Sequence, residues 1–376
     1  MLQRLRFPVA RSLGRRYPEP EHPYRNAFQR DRDRIIHARA FRRLEAKTQV
    51  FTPGLSDHFR NRLTHTIEVS QIARTVASVL GLDEDLTEAL ALVHDIGHPP
   101  FAHAGEEELN RQMSRFGERF DHNIHALRIV EKFEQRYARF PGLNLTFEVR
   151  EGMAKHSRDF EPGEIVQLDE YLPGKRPPLE AQLIDLADET AYNTADLDDG
   201  FSAHLFTAED VAAEVPQYRE IYETIEQQFP GATPREKFNE VLRQLIDSLV
   251  SGLVEGTVAA AQKTGVKTAD DVRQHPRRLA GFTSDAQSAT SELKSFLRRH
   301  VYSSPELDEG RRRSTEMMGE LFEFLVAHSD RLPETYREIV ATEPPHRVVC
   351  DYIAGMTDSF LRRSYEQLLG PTPPQP

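Results

Sequence analysis

The segment that decides the fold is DEDLTEALALVHDIGHPP, residues 83–100. Asp83 can cap the N-terminus of a helix. The apolar residues of that helix recur at helical spacing and share one face: Leu86, Leu90 and Val93. Gly97 and the two prolines after it end the helix. The segment therefore predicts an amphipathic helix that carries the adjacent pair His94 and Asp95 at its C-terminal end.

The same periodicity continues along the chain. In the preceding segment, apolar residues fall at helical spacing up to a closing glycine: Leu63, Ile67, Ile72, Val76, Val79, Leu80 and Gly81. Further helices are predicted at 123–139, 179–195, 209–228, 234–262, 311–328 and 346–369. The alternation typical of strands is almost absent, so the predicted fold class is all-α.

A chain of 376 residues can form one large domain or two ordinary ones. We find no internal repeat and no clear linker, so we expect a single helical domain. Its core is predicted at about 25–205, with an elaboration of further helices at about 206–370. Residues 157–178, with four prolines and two glycines, predict a long surface loop. Residues 371–376 predict a disordered tail.

Composition limits the class of protein. Hydrophobic residues make up 38% of the chain and charged residues 29%. No stretch approaches the roughly 18 apolar residues of a membrane span, and the N-terminus lacks the apolar core of a secretion signal. The single cysteine, Cys350, excludes a disulfide framework and a cysteine-based metal site. We therefore expect a cytoplasmic protein without membrane contact.

The net charge of −12 is unevenly distributed. Residues 1–48 contain 13 Lys or Arg and 5 Asp or Glu, so they are strongly basic and the remainder is acidic. Five arginines crowd into one stretch that is predicted to be helical: Arg32, Arg34, Arg39, Arg42 and Arg43. A solvated basic face and a patch for polyphosphate or nucleic acid both fit this pattern.

Histidine is concentrated in one part of the chain. Seven of the 15 histidines lie between His58 and His125. His65 lies in the middle of one predicted helix, and the pair His94 and Asp95 ends the next. Imidazole and carboxylate ligands together suit a divalent ion such as Mn²⁺, Fe²⁺, Co²⁺ or Zn²⁺ and, less naturally, Mg²⁺.

A later segment, 179–199, offers further ligands. Asp188, Tyr192 and Asp196 are spaced by four residues, so they lie on one face of a helix. The segment is too apolar for an ordinary solvated acidic helix. A buried polar stripe needs partners, and a metal ion with its ligand would supply them.

Several stretches together resemble one family. They are FRRL at 41–44 with QVF at 49–51, RLTHTIEV at 62–69, HDIGHPPFAHAGE at 94–106, ADETAY at 187–192 and RVVCDYIAGMTD at 347–358. These stretches resemble the deoxyguanosinetriphosphate triphosphohydrolase-like family, which belongs to the HD superfamily of metal-dependent phosphohydrolases. The resemblance runs from about residue 25 to residue 365.

The resemblance implies an all-α HD domain that hydrolyses dNTPs at the α-phosphate. The expected substrates are dGTP and other dNTPs. The products would be the deoxynucleoside and inorganic triphosphate. It further implies one divalent ion per site, Mg²⁺ or Mn²⁺ ahead of Fe, Co, Zn or Ni, on His65, His94, Asp95 and Asp188. Several relatives are homo-oligomers activated by a dNTP bound between subunits, so a homo-oligomer and a dNTP activator are expected partners.

The resemblance also implies roles in catalysis. His103 would approach the scissile P–O bond with Glu106 orienting it, while His98 and His122 would line the α-phosphate region. An imidazole there can protonate the leaving oxygen or stabilise developing charge. His125 departs from the family pattern, and we expect it to be an exposed polar residue.

Substrate contacts are implied in the same way. Arg62 and Lys155 match positions that face phosphates, where fixed positive charge offsets the triphosphate. Gln49 and Asp196 match groups around the sugar 3′-hydroxyl. Tyr192 matches a ring that packs against C2′ and leaves no space for the hydroxyl of a ribose.

Two alternatives stay open. One is another HD enzyme, a nucleotide phosphohydrolase or phosphodiesterase acting on monophosphates or cyclic nucleotides. The other is a single-stranded nucleic-acid binder or nucleotide sensor on an HD scaffold, which the basic first 48 residues favour. The complete set of predicted metal ligands argues against a protein that only binds.

Overall fold

A computed structural model of the chain describes residues 1–50 and 59–370. Within these ranges the chain forms helices and no sheet, apart from four isolated bridges. The predicted all-α fold class is confirmed. The predicted tail at 371–376 lies outside the described residues.

The described residues form seventeen α-helices. In chain order they are α1 (Ala27–Ile36), α2 (Arg39–Arg43), α3 (Arg62–Leu80), α4 (Glu84–Val93), α5 (Ala102–Ser114), α6 (His122–Arg128), α7 (Phe147–Ala154), α8 (Leu179–Ser202), α9 (Ala208–Glu214), α10 (Pro216–Gln228), α11 (Pro234–Thr264), α12 (Ala269–Gln274), α13 (Ser284–Leu297), α14 (Pro305–Ala327), α15 (Glu334–Val340), α16 (Pro345–Ala354) and α17 (Asp358–Leu369). Short π-helical turns follow α6 and α13, at Ile129–Phe133 and Arg298–Tyr302.

The helices belong to two compact units, and each unit is built from several separate stretches of chain. Unit 1 comprises Met1–Ile36, His65–His94 and Asn144–Ser304, and unit 2 comprises His37–Thr64, Asp95–Leu143 and Pro305–Pro376. The chain passes from unit 1 to unit 2 between His94 and Asp95. The units do not follow the predicted division near residue 205, and the single domain stays a prediction.

Unit 1 is built around α8, which packs against α4, α11 and α13, while α4 also packs against α1. Its apolar core includes Leu80, Leu183 and Leu253. The predicted cap is present, since the Asp83 side chain accepts a hydrogen bond from the Leu86 amide at 3.0 Å. The predicted inward-facing residues of α4 are all buried: Leu86, Leu90 and Val93.

Unit 2 is built around α14, which packs against α5, α16 and α17. Its apolar core includes Met113, Phe322 and Ile353. The carboxylate of Asp358 joins distant parts of this unit, because it accepts hydrogen bonds from the Thr48 amide at 3.0 Å and from the Phe101 amide at 3.2 Å.

Some predicted helices are shorter than expected. The segment 209–228 is divided into α9 and α10 at Pro216, because proline has no amide hydrogen for the helical ladder. The segment 346–369 is divided after Gly355 into α16 and α17. On α3 the periodicity is imperfect, since Ile67 and Val79 are 54% and 45% exposed. The sequence patterns did not indicate α7, α12, α13 or α15.

The part of the basic N-terminal segment that lies in unit 1 is paired with acidic side chains, whereas Arg39, Arg42 and Arg43 are exposed in unit 2. Many of its arginines form ion pairs with acidic residues, among them Arg6 with Asp83, Arg15 with Asp31, Arg25 with Asp33, Arg32 with Glu88 and Arg34 with Glu19. These pairs reduce the positive field that a nucleic-acid patch would need. Among the described residues, no helix combines the length and apolar character required to cross a membrane.

Candidate functional site

Three predicted metal ligands meet within unit 1. His65 projects from α3, His94 follows α4, and Asp188 projects from α8. Their side chains converge on one carboxylate oxygen, because Asp188 Oδ1 lies 2.8 Å from His65 Nε2 and 3.7 Å from His94 Nε2. The Nδ1 atom of His94 lies 2.7 Å from the Ala91 carbonyl oxygen, so Nδ1 carries the hydrogen and Nε2 can act as a ligand.

The electrostatics of this group suit a cation. Desolvation opposes ionisation of Asp188, but the adjacent imidazoles of His65 and His94 outweigh it and hold the pKa of Asp188 well below its usual range. The buried Nδ1 of His65 has no hydrogen-bond partner among the described residues. Two imidazoles and an ionised carboxylate form a donor set that divalent ions bind. The residues present therefore fit a divalent metal ion.

A third imidazole lies beside these ligands. His156, the second residue after α7, is buried, and its ring centroid lies 5.3 Å from that of His94. The ligand atoms of His94, His156 and Asp188 are all within 4.8 Å of one another. The sequence patterns did not single out His156. The signal available in the sequence was that His156 directly follows Lys155, a predicted substrate contact.

Asp95, the residue after His94, is buried in unit 2. Its Oδ2 atom accepts a hydrogen bond from Arg62 Nη1 at 2.6 Å, and its Oδ1 atom lies 3.1 Å from His98 Nδ1. Burial, followed by the positive charge of Arg62, lowers the pKa of His98 well below its usual value. His98 is therefore a neutral imidazole at neutral pH.

Glu106 on α5 lies beside two further predicted catalytic histidines of unit 2, His103 and His122. Its Oε1 atom lies 2.7 Å from His122 Nδ1, and its Oε2 atom lies 3.8 Å from His103 Nδ1. Burial opposes ionisation of Glu106, but the nearby imidazoles of His103 and His122 outweigh it and lower its pKa. The rings of His98 and His122 are close, with centroids 3.9 Å apart. His103 is largely exposed, so the shorter carboxylate contact goes to His122.

Close backbone contacts in residues 94–106 explain the two glycines of this segment. A Cβ atom at Gly97 would lie 2.1 Å from the His122 carbonyl oxygen, and one at Gly105 would lie 1.9 Å from the Pro100 carbonyl oxygen. Phe101 adopts a positive φ of 64°, the left-handed region that non-glycine residues rarely occupy. Such strain is common at functional sites and here it sets the direction in which α5 begins.

Lys47 holds the loop between His94 and α5 in place. Its buried ammonium group donates hydrogen bonds to the carbonyl oxygens of His98 and Ala354, the latter at 3.1 Å. Burial, with a contribution from Arg62, lowers the pKa of Lys47 to about 7. The sequence patterns did not indicate this contact, because its partners are backbone atoms more than 50 positions away.

The predicted sugar-contacting residues of unit 1 lie together. Tyr192 stacks against Tyr302 with ring centroids 5.9 Å apart, and the Tyr302 hydroxyl donates a hydrogen bond to Asp196 Oδ2. Tyr302 was not predicted from the sequence. Gln49 is half-buried in unit 2.

Lys155 is held inside unit 1. Its ammonium group donates hydrogen bonds to Glu151 Oε1 at 2.8 Å and to the carbonyl oxygens of Leu172 and Lys175 at 2.9 and 2.8 Å. These three acceptors engage the three donors of the group. A phosphate contact would require one donor to change partner, and this role stays a prediction.

The expectation that His125 is exposed was wrong. The residue is 2% exposed, and its Nδ1 atom lies 3.1 Å from Asp351 Oδ1 in unit 2. Burial lowers the pKa of His125, although Asp351 partly offsets this effect. Asp351, on α16, also binds Arg128, so His125 belongs to a buried polar network.

Two family models and several relatives match the chain. The HD domain family matches residues 62–193, and the phosphohydrolase-associated domain matches residues 280–367. The chain is 44% identical over 362 residues to a deoxyguanosinetriphosphate triphosphohydrolase-like protein of Geobacter sulfurreducens, covering 96% of this chain and 93% of the relative. It is 43% identical over 358 residues to a protein of the same description from Azoarcus sp. (95% and 93% covered), and 42% identical over 372 residues to one from Caulobacter sp. (96% and 94% covered).

Proposed function

The chain belongs to the deoxyguanosinetriphosphate triphosphohydrolase-like family of HD-domain phosphohydrolases, and we propose that it hydrolyses deoxynucleoside triphosphates to deoxynucleoside and inorganic triphosphate. The observation that carries this proposal is the convergence of His65 and His94 on one oxygen of Asp188. His94 is followed directly in the chain by Asp95. Near-full-length similarity to relatives named for the same hydrolysis supports it.

We propose that His65, His94, Asp95 and Asp188 hold one divalent ion, with Mg²⁺ or Mn²⁺ expected first. When bound, such an ion polarises a phosphoryl oxygen and lowers the pKa of a bound water. The ionised state of Asp188 and the Nε2 position of His94 support this set of ligands. Arg62, paired with Asp95, holds that carboxylate in one orientation.

The proton-handling groups in our proposal are His98, His103 and His122, with Glu106 as their carboxylate partner. Glu106 stays ionised and holds His122 through Nδ1, which leaves Nε2 of His122 as the nitrogen that faces a reacting group. His98 is kept neutral by burial and by Arg62, so it accepts a hydrogen bond or donates one without carrying charge. The exposed His103 is free to turn toward a leaving 5′ oxygen.

Substrate binding is proposed to use Arg62 and Lys155 for the phosphates, and Gln49, Asp196 and Tyr192 for the deoxyribose. The stack of Tyr192 on Tyr302 supports a fixed ring at the sugar, because an aromatic pair restricts the side chain. Base recognition is not assigned, so several dNTPs are expected to be substrates.

Replacement of Tyr192 by Ala tests the steric account of sugar selection. We expect GTP to become a substrate, since the ring that excludes the 2′-hydroxyl is removed, with the ratio of kcat/KM for GTP to that for dGTP rising by about tenfold or more. The Tyr192→Phe variant keeps the ring and serves as the control. Continued rejection of GTP by the Ala variant would contradict the account.

The test of the proposed reaction is product analysis by anion-exchange chromatography in Mg²⁺ or Mn²⁺. We expect inorganic triphosphate and deoxynucleoside in equal amounts. Orthophosphate or pyrophosphate as the product would instead indicate a different HD phosphohydrolase. Binding of single-stranded nucleic acid without any turnover would favour the binding protein.

We further propose that the protein is a homo-oligomer in which a dNTP activator binds between subunits. The same assay, run with each dNTP alone and with all four mixed, tests the activator. Triphosphate from the mixture at a rate above the sum of the single reactions would support a separate activating site. Additive rates would contradict it.

A further inference from the structure

His156 stands beside two of the proposed metal ligands although no family motif assigns it. Its side chain is 6% exposed, and it lies in unit 1 with His94 and Asp188. The ligand atoms of these three residues are within 4.8 Å of one another, a spacing that a single divalent ion can bridge after small side-chain movements.

A carboxylate fixes the orientation of His156. Asp185 Oδ1 lies 2.6 Å from His156 Nδ1, so Nδ1 carries a hydrogen and Nε2 is the nitrogen that can bind a metal ion. Metal-binding histidines commonly donate their second ring N–H to a carboxylate, which fixes the tautomer and makes the ligand nitrogen more basic.

Asp185 is itself held from several directions. Its Oδ1 atom also accepts a hydrogen bond from the Ser157 amide at 3.0 Å, and its other oxygen is paired with Arg278. Arg278 in turn donates to the Lys155 carbonyl oxygen at 2.6 Å and forms an ion pair with Asp159 at 3.1 Å. The network therefore holds both the ring and the backbone on either side of His156.

The backbone is strained at the same point. Ser157 has a φ of 65°, an uncommon conformation for a residue other than glycine, and its side chain is exposed. The strained conformation directs the Ser157 amide at Asp185. Residues in such conformations cluster at functional sites.

A histidine, a carboxylate and an arginine also meet at a second place in unit 1, which serves as a comparison. His300 lies 2.8 Å from Glu214 through Nε2, and Arg299 pairs with the same carboxylate. That group is on the surface and belongs to none of the clusters of possible metal ligands in the described residues. The carboxylate–histidine–arginine arrangement alone therefore does not make a metal ligand. What distinguishes His156 is its burial against His94 and Asp188.

We infer that His156 is a further ligand of the divalent ion held by His94 and Asp188, positioned by Asp185 and Arg278. This inference rests on the proposed metal centre. A third imidazole shifts the preference of the centre from Mg²⁺, which favours oxygen ligands, toward Mn²⁺, Fe²⁺, Co²⁺ or Zn²⁺. The identity of the ion is thus set in part by a residue other than the adjacent pair His94 and Asp95.

The test measures Mn²⁺ binding to the metal-free full-length protein by the EPR signal of free Mn²⁺, with the visible spectrum of the Co²⁺-loaded protein as a second readout. His156→Asn is the main variant, because the Asn side-chain amide replaces the Nδ1 donor to Asp185 but supplies no group at the position of Nε2. Asp185→Asn probes the positioning residue, Asp188→Ala removes a ligand of the proposed metal centre, and His300→Asn is the matched control.

We expect His156→Asn to bind Mn²⁺ roughly 10- to 100-fold more weakly and to change the Co²⁺ spectrum, while its unfolding temperature without metal stays close to that of wild type. His156→Gln, which places an oxygen near the position of Nε2, should recover part of the affinity. Asp185→Asn should weaken binding less than Asp188→Ala, and His300→Asn should leave both readouts unchanged.

Two outcomes separate the inference from the proposed function. Unchanged Mn²⁺ affinity and Co²⁺ spectrum in His156→Asn, together with lost binding in Asp188→Ala, would overturn the role of His156 and leave the proposed metal centre intact. Unchanged affinity in both variants would overturn the metal centre as well.

Discussion

Glu106 illustrates how one residue connects several functional groups. Its carboxylate lies within hydrogen-bonding distance of His122 and within 3.8 Å of His103, and it remains ionised despite partial burial because both histidines stabilise the charge. The residue therefore acts mainly on the orientation and basicity of His122. The resemblance implied a partnership of Glu106 with His103, and the shorter contact with His122 extends that role.

The Glu106→Gln variant should retain the metal site and lose turnover. Gln has the same shape, but it lacks the negative charge that orients and polarises His122, so kcat should fall about 10²- to 10⁴-fold. Measurements of kcat with a dNTP and of Mn²⁺ affinity test this. Glu107→Gln, an exposed neighbour on the same helix, is the control. Wild-type turnover in Glu106→Gln would place the proton-handling role elsewhere.

Which residues the sequence could predict depended on their position in the chain. The pair His94 and Asp95 and the face with Asp188 were visible because they sit in short motifs with helical spacing. His156 and Tyr302 were not, because their importance comes from residues that are distant in sequence. His125 was misjudged because a polar residue within a buried network has no sequence signature that separates it from an exposed one.

At the scale of elements, the approach of α6 to the loop after α4 depends on a missing side chain. A Cβ atom at Gly97 would lie 2.1 Å from the His122 carbonyl oxygen and 2.6 Å from the Ala126 amide nitrogen. Both are backbone atoms and cannot rotate away. Helix α6 can start where it does only because position 97 is glycine.

We expect Gly97→Ala to displace α6 and to move His122 away from Glu106. The protein should lose most of its turnover, and its free energy of unfolding should fall by about 1–3 kcal/mol because of overpacking. Activity and thermal unfolding measure these effects. Gly231→Ala is the control, since a Cβ atom there would have no neighbour within 4 Å. Equal behaviour of the two variants would contradict the proposed packing.

The N-terminus of α8 contains a buried acid with a different role. Glu180 accepts hydrogen bonds through Oε1 from the Phe7 amide at 2.9 Å and the Asp83 amide at 3.0 Å. Burial raises its pKa to about 7. Between the unfolded pKa of about 4.3 and a pH of about 7, the folded chain keeps a proton that the unfolded chain has released, so stability falls as the pH rises.

The Glu180→Gln variant should remove this pH dependence, because the amide oxygen can accept the same two hydrogen bonds without ionising. From pH 5 to pH 8 the wild type should lose about 3 kcal/mol more stability than the variant. Thermal unfolding of the metal-free protein at the two pH values provides the comparison, with Glu255→Gln on the exposed face of α11 as the control. Parallel pH profiles would show that Glu180 is already ionised in the folded chain.

The elements themselves were predicted unevenly. Amphipathic helices such as α4 and α11 follow from apolar periodicity, supported in α4 by the cap at Asp83. The breaks at Pro216 and Gly355 carried local signals that the apolar pattern obscured. Short helices such as α12 and α15 were missed because six or seven residues hold too few apolar positions to define a face.

On the scale of the whole molecule, the chain alternates between two compact units, and the HD pair falls where it crosses from one to the other. Each unit is held by contacts that span long stretches of sequence, such as Asp358 with Thr48 in unit 2 and Glu180 with Phe7 in unit 1. Such pairings leave no periodic trace, so the division into units could not be predicted from the sequence. The fold class could, because it depends on local periodicity alone.

We propose that water attacks the α-phosphorus of a dNTP. The most direct measurement is hydrolysis of dGTP in ¹⁸O-labelled water with Mn²⁺, followed by mass spectrometry of both products. We predict one ¹⁸O atom in the inorganic triphosphate and none in the deoxyguanosine, because the P–O bond to the 5′ oxygen is broken. Label in deoxyguanosine, or a labelled orthophosphate or pyrophosphate product, would contradict the account.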